Sequence, residues 1–379
     1  MITSRIASSA KRQLNRIVGV GPWHSLPFSV IIHQRLDVHA NGVHSEEDFT
    51  GVAAQENEEP YSYRAGESLV GQIKHYEQLR RGPRYRESGL VCPRPKVLFS
   101  MTDAGVIADD GVVYCPYSRA AVRETMRSWT TPAETRHVLG APGIPKPNKI
   151  SGLSLNLGTL SGGGYYHFLI EGLPKLWLAR KFRGLVDHYL VTGQPGGFHE
   201  HWLAQAGVPA EKVIWLHALS HLRCDQLLFT GALMGDHQVT PWTAHAVGNV
   251  TDAPRSRTPS RCLWISRKDA RERHFATEAA LLALLPELEP ITLSGMSPAA
   301  QMALFAEAKL IVGPHGAGLA NCIFCTPGGK LIEIFPKEKM QPIYQRIAQI
   351  AGMDYLWAQL EPTSDDDINR LAGAIRSAM

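Results

Sequence analysis

KLIVGPHGAGLANCIFCTPGGKLIEIFP, Lys309 to Pro336, reads as strand, glycine loop, helix and strand in one unbroken unit. Leu310 to Val312 is an apolar run of strand length, and Gly313-Pro314-His315-Gly316-Ala317-Gly318 interrupts it with three glycines in six residues. A helix is expected from about Ala317 to Phe324, stopped by Thr326-Pro327-Gly328-Gly329. Leu331 to Phe335 then supplies a second buried strand, ended by Pro336. Glycines at 316 and 318 leave no side chain between backbone and an incoming group, so the N–H donors at the helix start form a candidate diphosphate seat. The spacing is G-x-x-G-x-G rather than the G-x-G-x-x-G of dinucleotide enzymes, and a tight turn packing helix on sheet is the competing reading.

Working outward, the preceding residues alternate in the same way. Strand Cys262 to Ser266, helix Thr277 to Leu284, strand Pro290 to Leu293 and helix Ser297 to Ala308 lead into the glycine unit. Upstream, Gly152 to Leu157, Asp187 to Thr192 and Lys212 to Leu216 read as strands. Between them lie a helix from Tyr165, kinked at Pro174, and another at His199 to Ala206. The class expected is α/β, with residues 91–240 as one domain and 241–362 as a second. A Thr-, Pro-, Arg-, Gly- and Ser-rich stretch from Thr240 to Ser260 reads as the linker. A helix within 363–379, capped by Asp365-Asp366-Asp367, is expected to return to the first domain.

Residues 1–90 read poorly as regular structure, apart from a strand within Pro27 to Ile32 and helical spacing in Glu67 to Arg81. The basic residues Arg80, Arg81, Arg84 and Arg86 read as a solvated face. Lys96 to Ser100, Gly105 to Ile107 and Val112 to Tyr114 read as a meander of short strands, and Arg119 to Trp129 as a helix.

With 379 residues, 44% hydrophobic and 20% charged, the chain has room for two ordinary cores. A formal charge of +4 is too small to argue for nucleic acid, and it suits an anionic substrate or an acidic membrane surface. Six scattered cysteines, at 92, 115, 224, 262, 322 and 325, suggest reduced thiols and a cytoplasmic setting. Cys322 and Cys325 have C-x-x-C spacing without a second ligand pair, which favours an apolar core position over a metal or redox site. No apolar run reaches membrane-spanning length. Residues 1–16 carry four basic side chains and no acid, as a solvated terminus, an organelle-targeting peptide or a segment lying peripherally on the inner membrane face would.

Three clusters carry candidate chemistry. Ile265 to His274 sets a cationic loop directly after a strand, with Arg267 and Arg273 placed to meet phosphates bidentately. His167 and Glu171 stand four apart on one helix face, where a carboxylate favours an imidazole as proton acceptor; simple helix stabilisation is the alternative. Glu333 lies near a strand end suited to ribose hydroxyls, and His315 inside the glycine loop suits a phosphate or sugar hydroxyl.

GPHGAGLAN (Gly313 to Asn321) with LIEIFP, ISRKDARER (Ile265 to Arg273) followed by Glu278, and YYHFLIEGLPKL (Tyr165 to Leu176) together resemble the motifs of glycosyltransferase family 61. The resemblance covers roughly residues 95–340. It implies a GT-B-like fold of two Rossmann-like domains facing a cleft, and sugar transfer with inversion, without an obligatory metal or cofactor. The implied partners are a nucleotide-diphosphate sugar and a glycan or glycolipid acceptor in surface polysaccharide synthesis, as in bacterial members. It puts Arg267, Arg273, His315, Gly316, Ala317, Gly318, Asn321 and Glu333 on the donor side, and His167 and Glu171 on the acceptor side. Thr277 stands where the motif has Asn. The alternatives are a non-catalytic nucleotide-sugar-binding subunit and a dinucleotide-dependent oxidoreductase; the latter lacks its glycine spacing and its acidic partner about twenty residues on.

Overall fold

A computed structural model describes residues 29–31, 51–63, 67–70, 89–91, 96–116, 120–122, 125, 145–233, 239–254, 258–270, 274–335, 343–359 and 362–379. The basic segment 1–16, the arginines at 80, 81, 84 and 86, and Arg273 lie outside them. The chain forms two compact units, one of residues 1–57 and 95–235, the other of 58–94 and 236–379.

The first unit is built on a nine-stranded mixed sheet. Its strands are β1 (Ser29–Ile31), β2 (Gly51–Glu56), β6 (Lys96–Ile107), β7 (Val112–Cys115), β8 (Ala120–Val122), β9 (Asn148–Asn156), β10 (His188–Thr192), β11 (Val213–Leu216) and β12 (His221–Thr230). The order is β1-β8-β7-β6-β12-β9-β10-β11, with β2 also on β6. From β12 to β11 all neighbours are parallel, whereas β6 meets β2, β7 and β12 antiparallel.

The third strand of the expected meander is found as β7, while the first two, Lys96 to Ser100 and Gly105 to Ile107, are one twelve-residue strand antiparallel to it. Asp103 does not break the long strand, because a single residue at φ 50° is absorbed within it and its carboxylate is gripped by both arms of Arg223 on β12. The helix expected from Arg119 begins as strand β8, which pairs with β7 and β1. Val97, Phe99, Val106, Val113, Leu190, Leu222, Leu227 and Phe229 form the core.

The helical stretch after β9 is not one kinked α-helix. It runs as Tyr165–His167, a π-helical segment Phe168–Gly172, and Pro174–Leu178. Pro174 has no N–H to give the Ile170 carbonyl and its ring crowds that oxygen, so the turn widens and Leu173 N donates to Phe168 O at 2.9 Å.

The second unit carries a six-stranded sheet, parallel throughout. A separate two-stranded pair joins β3 (Tyr61–Tyr63) and β5 (Gly89–Val91). The main strands are β4 (Glu67–Val70), β13 (Arg261–Ile265), β14 (Glu289–Ile291), β15 (Ala308–Pro314), β16 (Lys330–Phe335) and β17 (Asp354–Gln359), in the order β14-β13-β15-β16-β17-β4. Counted from β13 this is 2-1-3-4-5 with β4 added at the edge, a doubly wound order that reverses between β13 and β15.

Glu67 to Val70, expected to begin a helix, pairs with β17 as strand, because tertiary pairing outweighs a four-residue apolar pattern. The expected linker holds a helix, Pro241–Val250, capped by a reciprocal Thr240–Thr243 box with Pro at its first turn. The C-terminal helix Asp365–Ala378 does not return to the first unit. Its Ile368, Leu371, Ala372 and Ile375 pack with Trp264, Leu281, Leu310, Val312 and Ile332 in the second unit's core. No helix among the described residues is long and apolar enough to cross a membrane.

Candidate functional site

In the second unit the chemistry gathers at the strand-order reversal, where a doubly wound sheet opens its ligand crevice beyond the carboxyl ends of its strands. β13 ends at Ile265 and delivers Ser266 and Arg267; β15 ends at Pro314 and delivers His315 and Gly316. The Arg267 guanidinium lies directly against Gly316, such that a Cβ on Gly316 would sit 1.8 Å from its Nη1. The space that glycine leaves is therefore filled by a cation. Gly316 has an extended φ of −176°, which any residue adopts, so the glycine here leaves room for the Arg267 side chain rather than relieving backbone strain.

Gly318 gives its space to Leu293, whose Cδ1 would meet an added Cβ at 2.7 Å. Ala317 and Gly318, both half-buried, open a 3-10 helix, Ala317–Phe324, in place of the α-helix expected. Ser266 holds the base of the cationic loop, donating to both Glu278 oxygens at 2.7 and 2.9 Å and accepting from Lys268 N at 3.2 Å.

His315 is 4% exposed and its Nδ1 stands 2.5 Å from Glu333 Oε1. A carboxylate only accepts, so Nδ1 carries the proton and the ring is fixed in one tautomer or in its cation. Tyr355 donates to Glu333 Oε2 at 2.7 Å, the His315 backbone N–H donates to Ile334 O, and the ring stacks on Phe335. Glu333 is fully buried with both oxygens engaged inside the unit, so it is not placed to meet ribose hydroxyls directly. Asn321 is also fully buried, and donates to Gln301 Oε1 at 3.0 Å, joining the 3-10 helix to the helix Pro298–Ala306. Cys322 and Cys325 are buried free thiols; burial and the neighbouring Cys325 push the Cys322 thiol well up.

A second cluster belongs to the first unit, beyond the carboxyl end of β9. His167 Nδ1 is 3.3 Å from Glu171 Oε1, and Thr159 donates to Glu171 Oε2 at 2.7 Å. The His167 side chain is 16% exposed against 8% for Glu171, so the imidazole is the member nearer solvent. The sequence reading missed two partners here. Thr159 lies in the loop after β9, and Lys175 is 4% exposed with Nζ donating to Gly158 O at 2.5 Å. Lys175 falls four residues after Glu171, as Glu171 does after His167, a repeat that was visible in the sequence.

Of the residues singled out from sequence, the structure brings together Arg267 and Gly316, His315 and Glu333, and His167 and Glu171. It places Asn321 in the core.

Residues 165–332 match the family described as Glycosyltransferase 61. A stretch of 63 residues is 35% identical to the Beta-1,2-xylosyltransferase of Arabidopsis thaliana, covering 17% of this chain and 12% of that protein. The family match opens at Tyr165, two residues before His167, and takes in Glu171, Arg267, His315 and Gly316. It supports glycosyltransferase family 61 as the family of this stretch of the chain.

Proposed function

We propose that the protein is a glycosyltransferase that moves a sugar from a nucleotide-diphosphate donor to a hydroxyl of a glycan or glycolipid acceptor, with inversion at the anomeric carbon. The observation that carries this reading is the Arg267 guanidinium seated against Gly316 at the reversal point of the second unit's parallel sheet. A guanidinium beside the first N–H groups of a helix suits a diphosphate, whose charge grows as the sugar–phosphate bond breaks. Donors pre-placed for such charge are worth about 2.7–4 kcal/mol each in a dry site. His315, anchored through Glu333, adds a fixed ring beside the same loop.

The proposal gives the division of labour of a GT-B enzyme, with the donor on the second unit and the acceptor on the first. His167 takes the acceptor hydroxyl proton on Nε2 while Glu171 holds Nδ1–H, and the deprotonated oxygen attacks the anomeric carbon as the diphosphate leaves. Charge on the leaving diphosphate is met by Arg267 in this scheme, which calls for no metal. Surface polysaccharide assembly in the cytoplasm is the setting proposed, in keeping with the buried free thiols.

Thermal shifts with UDP-, GDP- and CMP-sugars test the donor side, UDP-xylose among them because the plant relative is named for xylosyl transfer. One donor is expected to raise the unfolding midpoint of the wild-type chain and of His167→Ala, but not of Arg267→Ala. His167→Ala is expected to lose about two to four decades of transfer, the usual range for a general base. Donor binding with no transfer or hydrolysis in the wild type would favour a non-catalytic sugar-nucleotide subunit.

A further inference from the structure

Lys175 is a cation in a place where an unanswered charge would be costly. It is buried on the helix Pro174–Leu178, where a charge is tolerable only if hydrogen bonds and an opposite charge answer it. Burial pushes its ammonium down to about 8, and the opposing influence is the Glu171 carboxylate. Gly158 O accepts one of its three N–H groups.

Lys175 and Glu171 line one small cavity together with Thr159, Asn156 and Gly158. Its volume, about 20 Å³, suits a single water-sized bridge between Nζ and a carboxylate oxygen. Glu171 thus has three influences on it: the His167 ring on Oε1, the Thr159 hydroxyl on Oε2, and the Lys175 charge across the cavity.

The widened turn ahead of Pro174 sets these groups in place. Phe168–Gly172 is π-helical and contains Glu171, while Lys175 follows on the next helical turn. Widened turns of this kind occur often at functional sites. Glu171 thus has the half-buried His167 imidazole as a hydrogen-bond partner and the buried Lys175 ammonium on the same cavity.

We propose that Lys175 is a positioning residue, the countercharge that holds the Glu171 carboxylate where it fixes the His167 tautomer with Nδ1 protonated and Nε2 turned to the acceptor. This rests on the reading of His167 as the proton acceptor, and its test does not depend on turnover. In the full-length chain with 15N-labelled histidine, His167 is expected to show Nδ1 protonated and Nε2 unprotonated when neutral. Lys175→Met is expected to lose that pattern and Lys175→Arg to keep it. A folded Lys175→Met chain with the wild-type pattern overturns the proposal.

Unfolding midpoints provide the second measurement. If Lys175 answers the Glu171 charge, removing both charges in Lys175→Met/Glu171→Gln restores part of the midpoint lost in Lys175→Met alone. A double variant no more stable than Lys175→Met also overturns it. Failure of every donor to bind or react would sink the transferase reading while leaving both of these results standing.

Discussion

The two histidines of interest are held in one way. His167 and His315 each give Nδ1 to a glutamate, at 3.3 and 2.5 Å, and each glutamate takes a hydroxyl on its other oxygen, from Thr159 and from Tyr355. The difference is exposure, since the His315–Glu333 pair is sealed and the His167 ring is not. A sealed pair is expected to matter for stability as well as for any ligand. Glu333→Ala leaves the buried Tyr355 hydroxyl and the His315 ring without their acceptor, and should lower unfolding free energy by about 1–3 kcal/mol for each orphaned group; Glu333→Gln, which keeps an acceptor, should lose less. Denaturant titration of both variants checks the order.

Lys175 makes a prediction about pH. Its drop from 10.5 to about 8 means that the unfolded chain binds more protons than the folded one between those values. Stability therefore rises with pH across that window, by about 3 kcal/mol from this group. Comparing wild type with Lys175→Met from pH 7.5 to 10.5 isolates it, because only the wild type should show the rise. Parallel curves would mean that the ammonium is not penalised by its burial.

At the scale of elements, the segment Tyr165 to Leu178 shows how a proline shapes a site from downstream. In Pro174→Ala the new N–H can reach the Ile170 carbonyl, and the wide turn is expected to relax to an α-turn. Glu171 would then swing away from Thr159, so transfer should fall while the unfolding midpoint holds or rises. An unchanged rate would show that the wide turn is incidental.

What the sequence disclosed followed the strength of local signals. The run from Cys262 to Phe335 alternates apolar strands with helices, one of them capped by Ser297 accepting from Ala300 N, and the strands and helices lie close to where the pattern puts them. His221 to Thr230 was missed as a strand because Arg223, Asp225 and Gln226 interrupt its apolar run. Arg223 pairs with Asp103, which lies 120 residues away. The helix Pro241–Val250 was hidden by Thr and Pro, which read as linker composition but serve here as cap and first turn. Within the site, glycine spacing disclosed the loop, but not that Arg267 occupies the space at Gly316.

At the scale of the whole molecule, each unit has its own sheet and core, so a ligand held by one should leave a local mark. A nucleotide diphosphate at a hundred times its dissociation constant stabilises its binding unit by about 2.7 kcal/mol. Hydrogen exchange is expected to slow in residues 265–270 and 313–320 of the second unit. Protection centred in 157–178 instead would move the donor to the first.

Neither unit is one continuous length of chain, since residues 58–94 belong with 236–379, and β4 completes the far edge of the second sheet by pairing with β17. During synthesis the short strand at Glu67–Val70 leaves the ribosome long before Asp354–Gln359 exists to receive it. The first unit can close around its own sheet in the meantime, while the second waits for Asp354–Gln359 and the helix Asp365–Ala378. Chains cut before Asp354 should therefore have one folded unit and a stranded, aggregation-prone edge, rather than two slightly shortened units.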